Sequence, residues 1–520
     1  MNDALMTKLE AALDQLPQTY PGPGGVAGMV KDGKVVARRS WGYKDLGRRL
    51  PMMPETRLPI CSISKQFTCG VLLAEVGDPA KLDPLLPRYL PKFREPLPSV
   101  RNLCDMQSGL RDYWALTVVQ GAQPEGVFAE TDAEPLIARM KTGHFAPGSQ
   151  YSYSNGNFRL LPELLLEATG QEIGTLYQKH IFGPAGMATA CQSTDTSQPL
   201  DEVVGYEGND QTGHIPVVNR ICWKGDAGIS ASLEDMLAYE AWIDATRDDP
   251  DAIYNRLSVQ PSFSDGSEAY YGYGLKRDKI GGRLATGHGG ALRGFRAHRL
   301  HIGDERLSVV VMFNHEADAL GAALALAEAA LGHERSKPLS ATNPEFAGQW
   351  LDEQEGLLVR LDPAGTGMRL RYGASSGVVQ PRADGALAAP GLTITLDQGR
   401  LSMRREVDHH HAKAVPIAPI GRADGTELAG RFYSEELEAY VEIEAHAGAL
   451  FAGFKGLLGR GPMERMHPIA KDIWVIATRR SLDAPAPGDW TVQVVRGTDG
   501  SVTGLTIGCW LARRIAYTCN

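Results

Sequence analysis

The chain has 520 residues, 43 % of them hydrophobic and 22 % charged, with a net charge of −9. This is the composition of a folded polypeptide with several domains, which excludes bulk disorder. The acidic balance gives no footprint for nucleic acid, and no apolar run approaches the roughly 18–20 residues of a membrane span, so neither partner is expected.

Leu5, Leu9, Leu13 and Leu16 recur at helical spacing behind Asn2 and Asp3 and ahead of Pro17. The N-terminus therefore reads as an amphipathic helix and lacks the pattern of a signal peptide. The seven cysteines are odd in number, scattered and without a C-x-x-C pair, as in a reducing compartment with free thiols, and the cytoplasm is the expected location. Val26–Val36 predicts a hairpin turning at Asp32–Gly33. From Ser62 to Val76, Ile63, Phe67, Val71 and Leu72 recur with helical period. Leu307–Phe313 predicts a buried strand, and Ala322–Leu331 a helix stopped by Gly332. These elements predict an α+β domain over residues 1–333, an antiparallel sheet covered by helices.

After Glu334 helical periodicity gives way to short alternating segments, among them Leu357–Leu361, Leu392–Leu396, Tyr440–Ile443 and Trp490–Val495. Glu345–Trp350 followed by Leu357–Leu361 matches Glu427–Phe432 followed by Ala439–Ile443, every position offset by 82. Two related all-β domains, 334–417 and 418–520, are expected as small antiparallel barrels or sandwiches that hide their strand edges.

Three motifs carry chemistry. Ser62-Ile-Ser-Lys65 places a hydroxyl and an amine on one face of a helix start, where unpaired N–H groups favour a developing oxyanion. Tyr153-Ser-Asn155 lies in the turn-rich stretch 146–157 and presents a phenol for proton relay and an amide for binding. Gly287-His288-Gly289-Gly290 precedes Ala291, and its glycines let a substrate backbone lie close to an edge strand.

In this order and spacing the motifs resemble the penicillin-recognising serine hydrolases. Val100–Leu110 and Gly225–Ser232 are similar to that family's flanking helix and glycine turns, and the likeness covers residues 5–332. The resemblance implies a β-lactamase/DD-peptidase-type catalytic domain in which Ser62 forms an acyl-enzyme, with Lys65 and Tyr153 managing the protons. It implies an oxyanion hole from the amides of Ser62 and Ala291, and substrate binding by Asn155 and His288 along Gly289 and Gly290. No metal or organic cofactor is implied. The chain departs from the family where β-lactamases carry Lys-Thr-Gly: His288-Gly289-Gly290 lacks the permanent cation and the hydroxyl, which weakens carboxylate recognition.

With two barrels behind the catalytic domain, the chain is most similar to the branch of the family that removes an N-terminal D-residue from short peptides, amides or esters. D-stereospecific esterase, DD-carboxypeptidase and β-lactamase action are the enzymatic alternatives, and a penicillin-binding sensor the non-enzymatic one. Binding an ammonium group requires a carboxylate near Ser62. Asp483, in the segment 479–489 that also holds Asp489, is the candidate, on a loop expected to reach into the cleft. Oligomeric state is not encoded, and a homodimer is compatible. Gly373–Gly377 matches a nucleophile elbow but joins two strand-like runs, and His409–His411 reads as an exposed loop. Cys61 and Cys69 bracket the Ser62 helix start with no resolving partner expected nearby.

Overall fold

The computed structural model describes residues 3–333, 343–373, 375–477, 480–482, 484–485 and 488–519. Its first part is built on an eight-stranded sheet in the order 50–51, 34–45, 24–31, 307–313, 295–302, 283–292, 275–280, 271–272, every neighbour antiparallel. Asp32 and Gly33, both at positive φ, make the first hairpin turn. Such a turn matches the right-handed twist of the flanking strands. Strand Leu307–Phe313 is buried along its whole length at the centre of the sheet, which explains its unbroken apolar run.

Helices Asp3–Thr19 and Ala319–Leu331 cover one face, with Leu9, Leu13, Leu16 and Leu326 packed on Met29, Val309 and Val311. The first helix continues through Pro17 to Thr19. A proline in the last turn removes only one ladder bond, so it does not end the helix. On the other face lie helices Ser64–Glu75, Tyr113–Val119, Asn155–Thr169 and Leu233–Ala245. The helix Ser64–Glu75 is buried nearly all round, including Lys65 and Gln66. Within it the Lys65 amine is paired with Ser62, Asn155 and the Asp226 carbonyl, as burial of such a group requires.

The remainder forms two antiparallel barrels. Eight strands from Gly348–Asp352 to His410–Pro416 close through the pairing of Trp350 with Pro416. The second barrel runs from Gly430–Ser434 to Ala512–Cys519 and closes through Phe432 opposite Cys519. The offset of 82 is literal at their starts: the turns Pro344–Phe346 and Thr426–Leu428 precede strands Gly348–Asp352 and Gly430–Ser434. Strands Leu357–Ala364 and Ala439–His446 follow. His409–His411 is not an exposed loop: His410 is buried and opens the last strand of the first barrel, while the His409 ring stacks on Phe263. Among the described residues no helix is long and apolar enough to cross a membrane.

Candidate active site

Cys61 adopts a left-handed conformation, φ +53°, and turns the chain so that Ser62 stands just ahead of helix Ser64–Glu75. Such a backbone costs of order 1 kcal/mol and persists only where packing over-determines it. Gly290 supplies that packing. A Cβ there would lie 2.4 Å from the Ile60 carbonyl oxygen and 2.8 Å from Cys61 Cβ, so only glycine lets strand Arg283–Leu292 press against the Ser62 turn. The bareness of position 290 thus serves the protein's own fit. The cleft also runs along Gly289, whose Cβ would meet His298 Nδ1 at 3.0 Å.

Lys65 Nζ donates to Ser62 Oγ at 3.0 Å, to Asn155 Oδ1 at 2.9 Å and to the Asp226 carbonyl at 2.7 Å. The Tyr153 hydroxyl also hydrogen-bonds Ser62, and Lys65 Nζ lies 5.0 Å from the Tyr153 ring centre. Asn155 is fixed in turn by Asp112, whose carboxylate accepts from the Asn155 amide N–H at 2.8 Å and from Nδ2 at 3.2 Å. The Asp112 N–H donates to the carbonyl of Leu511, in the second barrel, at 2.9 Å. A continuous hydrogen-bonded chain therefore runs from the far end of the sequence to Ser62.

Burial brings the Lys65 ammonium down to about 8, against the opposing charges of Asp226 and Asp112. Burial also pushes the Tyr153 phenol up, so it keeps its proton at neutral pH. The Asp112 carboxyl is raised by burial to about 6, with hydrogen bonds from Asn155 and Trp114 and the Lys65 charge opposing. His288 sits well below its ordinary value because of burial and the ammonium groups of Lys276 and Lys65. Its Nδ1 meets the Gly289 carbonyl and must donate, so Nε2 accepts from the Tyr271 hydroxyl at 3.1 Å. His288 is thus a neutral, fully engaged imidazole, uncharged where β-lactamases place a cation.

Leu292 pairs with Phe295 across the two-residue turn Arg293–Gly294. In an antiparallel ladder this pairing directs the amides of Gly289 and Ala291 to the opposite edge. Strand Leu275–Ile280 covers that edge only as far as Gly287, opposite Lys276, so the edge from 288 to 292 faces the cleft. Ser62, Tyr153, Asn155, His288, Gly289, Gly290 and Ala291 all line this one cleft of about 610 Å³, with Lys65 beneath Ser62.

Asp483 lies outside the described residues. Asp489, the other carboxylate of that segment, faces Arg360 of the first barrel at 3.4 Å. Leu482 is buried, its carbonyl accepts from Glu125 N, and Ala484–Pro485 runs beside strand 283–292. Cys69 does have a neighbouring thiol, Cys104, to which it is hydrogen-bonded, while burial pushes Cys61 up to about 12. Neither Cys61 nor Cys69 has thiolate character.

Sequence reasoning missed Asp112, Trp114, Trp223, Lys276 and Leu511, which also line the cleft. Asp112 stands two residues past a stretch whose family likeness is visible. Leu511 carries no local signal, since only the tertiary fold brings it there.

A hydroxyl hydrogen-bonded to a lysine and a tyrosine beside the edge of a strand is the arrangement expected of a β-lactamase-type serine hydrolase site. Residues 9–333 match the β-lactamase family, and residues 339–518 match domain B of D-aminopeptidase. A D-aminopeptidase of Cereibacter sphaeroides strain KD131 is 57 % identical over 98 % of both chains. One of Brucella anthropi is 47 % identical over 98 % of both. The octameric penicillin-binding protein homologue of Pyrococcus abyssi shares the fold, with a TM-score of 0.56 at 20 % identity over 78 % of this chain and 99 % of its own. The chain belongs to the β-lactamase family and, within it, to the D-aminopeptidase group.

Proposed function

We propose that the chain is a serine hydrolase that releases an N-terminal D-residue, such as D-alanine, from short peptides, amides or esters through an acyl-enzyme. The observation that carries this reading is the Ser62–Lys65–Asn155–Asp112 chain in a cleft bounded by the edge of strand Arg283–Leu292, in a protein whose relatives are D-aminopeptidases over 98 % of their length.

With its pKa near 8, Lys65 is partly neutral at physiological pH and takes the Ser62 proton as Oγ attacks the scissile carbonyl. The amides of Ser62 and Ala291 receive the oxyanion. Tyr153, protonated at rest, gives its proton to the departing amine and is reprotonated from the Lys65 ammonium. In the second half, water replaces the amine and the same groups run in reverse. Asn155 and the neutral His288 orient the substrate, and Asp483 remains the candidate for the substrate ammonium. The uncharged His288 speaks against a site built for a carboxylate at that position, as carboxypeptidase or β-lactamase action would need. All seven cysteines are free, which supports the cytoplasm as location. Whether the chain pairs as a homodimer is tested by sedimentation velocity.

The test is release of p-nitroaniline from D-Ala-p-nitroanilide and its L-isomer by the unmodified enzyme and Ser62→Ala. Turnover of the D-isomer alone, lowered at least about 10⁴-fold by Ser62→Ala, is expected. Equal turnover of the L-isomer, or an active Ser62→Ala enzyme, overturns the reading.

A further inference from the structure

The second barrel ends in a hairpin whose strands, Val502–Cys509 and Ala512–Cys519, are joined by the two residues Trp510 and Leu511. The two side chains are differently placed, although Leu511 also packs against the core cluster that holds Trp510. Trp510 is buried in the core of the first barrel, edge-on to Tyr372 at 5.4 Å and beneath the guanidinium groups of Arg513 and Arg405 at 3.7 and 4.5 Å. Leu511 lines the cleft that holds Ser62. The backbone of the turn is pinned as well: the Leu511 carbonyl accepts from Asp112, and the Arg513 carbonyl accepts twice from the Arg111 guanidinium at 3.3 Å. Leu511 is therefore held by an anchor on each side and cannot yield easily to a bulky neighbour.

Beside Leu511 the cleft is lined by Asp112, which holds Asn155 next to Lys65. Lys276, opposite Gly287, and Arg296, opposite Ala291, line it as well. Glu316 is there too, but Arg296 lies 3.4 Å from it, and Asp318 caps the helix Ala319–Leu331. An enzyme that removes one N-terminal residue needs a blocked end for that residue and an open, non-anionic end for the leaving group. Among the charged groups that line the cleft, the Asp112 carboxylate favours a protonated amine and the Lys276 ammonium disfavours it.

We infer that Leu511, on the terminal hairpin of the second barrel, is the back wall of the subsite for the N-terminal D-residue and restricts it to small side chains. The inference rests on the aminopeptidase reading. It makes a residue almost 450 positions from the nucleophile a specificity determinant. Because Asp112 is held by the backbone carbonyl of Leu511 rather than its side chain, replacing the side chain separates the wall from the tie.

The test compares kcat/KM for D-Leu-p-nitroanilide and D-Ala-p-nitroanilide. Leu511→Ala is expected to raise the D-Leu to D-Ala ratio at least tenfold, mainly through KM, and Leu511→Trp to lower it. Leu511→Val, a smaller truncation, should move the ratio in the same direction by about threefold and serves if the alanine variant does not fold. A folded Leu511→Ala or Leu511→Val enzyme whose ratio stays within twofold of the unmodified one, or that loses both substrates in proportion, overturns the wall. An unmodified enzyme that turns over neither D-anilide overturns the aminopeptidase reading itself, a result that no 511 variant can mimic.

Discussion

The two barrels begin alike and end differently. In the first, the last hairpin joins strands Arg400–Arg405 and His410–Pro416 through the turn 406–409. There the Asp408 carbonyl accepts from Tyr151 N at 3.1 Å, and His409 Nδ1 meets the Ser149 carbonyl at 2.9 Å. In the second, the corresponding hairpin has the shorter turn Trp510–Leu511, and its carbonyl accepts from Asp112. Each hairpin thus holds one flank of the Tyr153–Asn155 motif, the first two residues ahead of Tyr153 and the second through Asp112 to Asn155. A second contrast lies two strands earlier. The first barrel joins strands Leu387–Ala389 and Leu392–Asp397 by Pro390–Gly391 alone, whereas the second inserts 477–489 between Ile473–Ile476 and Trp490–Arg496. The two barrels share a closed scaffold and differ in their turns, where added residues do not disturb the ladder.

The comparison breaks first at Asp112 if the second barrel's grip is the chemical one. Asp112→Ala removes the acceptor for both Asn155 donors and leaves the Asn155 contact with Lys65 unsupported. A loss of about 10²–10³ in kcat/KM on D-Ala-p-nitroanilide is expected, the range for a buried charged hydrogen-bond partner next to reacting groups. Asn155→Ala combined with Asp112→Ala should add little to the single change, because the two act as a unit. Additive losses would place Asp112 outside this chain. Next in size is Trp510→Ala, which empties the first barrel's core of a fully packed indole. Urea denaturation is expected to show roughly 3–5 kcal/mol of lost stability.

How much of this was legible before the structure follows from the range of each interaction. Ser62 and Lys65 are one helical turn apart, and Tyr153 and Asn155 share a loop, so their chemistry is written in neighbouring letters. The barrels were legible through period-two alternation and through the repeat, whose Gly348 and Gly430 recur with φ +146° and +153°. The Leu511 contact was not, because a two-residue turn has no periodicity and its partner lies some 400 residues away. His409–His411 misled for a related reason: a polar triplet looks solvated, yet alternation along the strand beginning at His410 buries that ring while His409 reaches the catalytic domain. The neutrality of His288 was likewise hidden, since it comes from burial and two lysines on other elements.

A pH profile sharpens the contrast at smaller cost. In the proposed mechanism Lys65 is neutral when it accepts the Ser62 proton, so kcat/KM should rise with pH through about 8. The Asp112 carboxylate raises the Lys65 pKa by its charge. Asp112→Asn removes that charge, so the rise should move to lower pH in whatever activity remains. A midpoint that stays put would mean that Asp112 acts on Asn155 alone.

The smallest effect is expected at His409, and it is the one that separates the two grips. Its ring stacks on Phe263 at 4.4 Å and it meets the Ser149 carbonyl, but it is 36 % exposed at the side chain. The neighbouring tie to the Tyr153 loop is made by the backbone of Asp408 and survives any side-chain change at 409. His409→Ala should therefore cost no more than about 1 kcal/mol of stability, and kcat/KM on D-Ala-p-nitroanilide should stay within about threefold of the unmodified enzyme, a change of roughly 0.6 kcal/mol in barrier. A large activity loss with stability preserved would show that the first barrel also tunes the site through a side chain, and the division of labour between the two hairpins would fall. A small loss leaves the first barrel as a clamp on loop position and the second as the one whose turn meets the reacting groups.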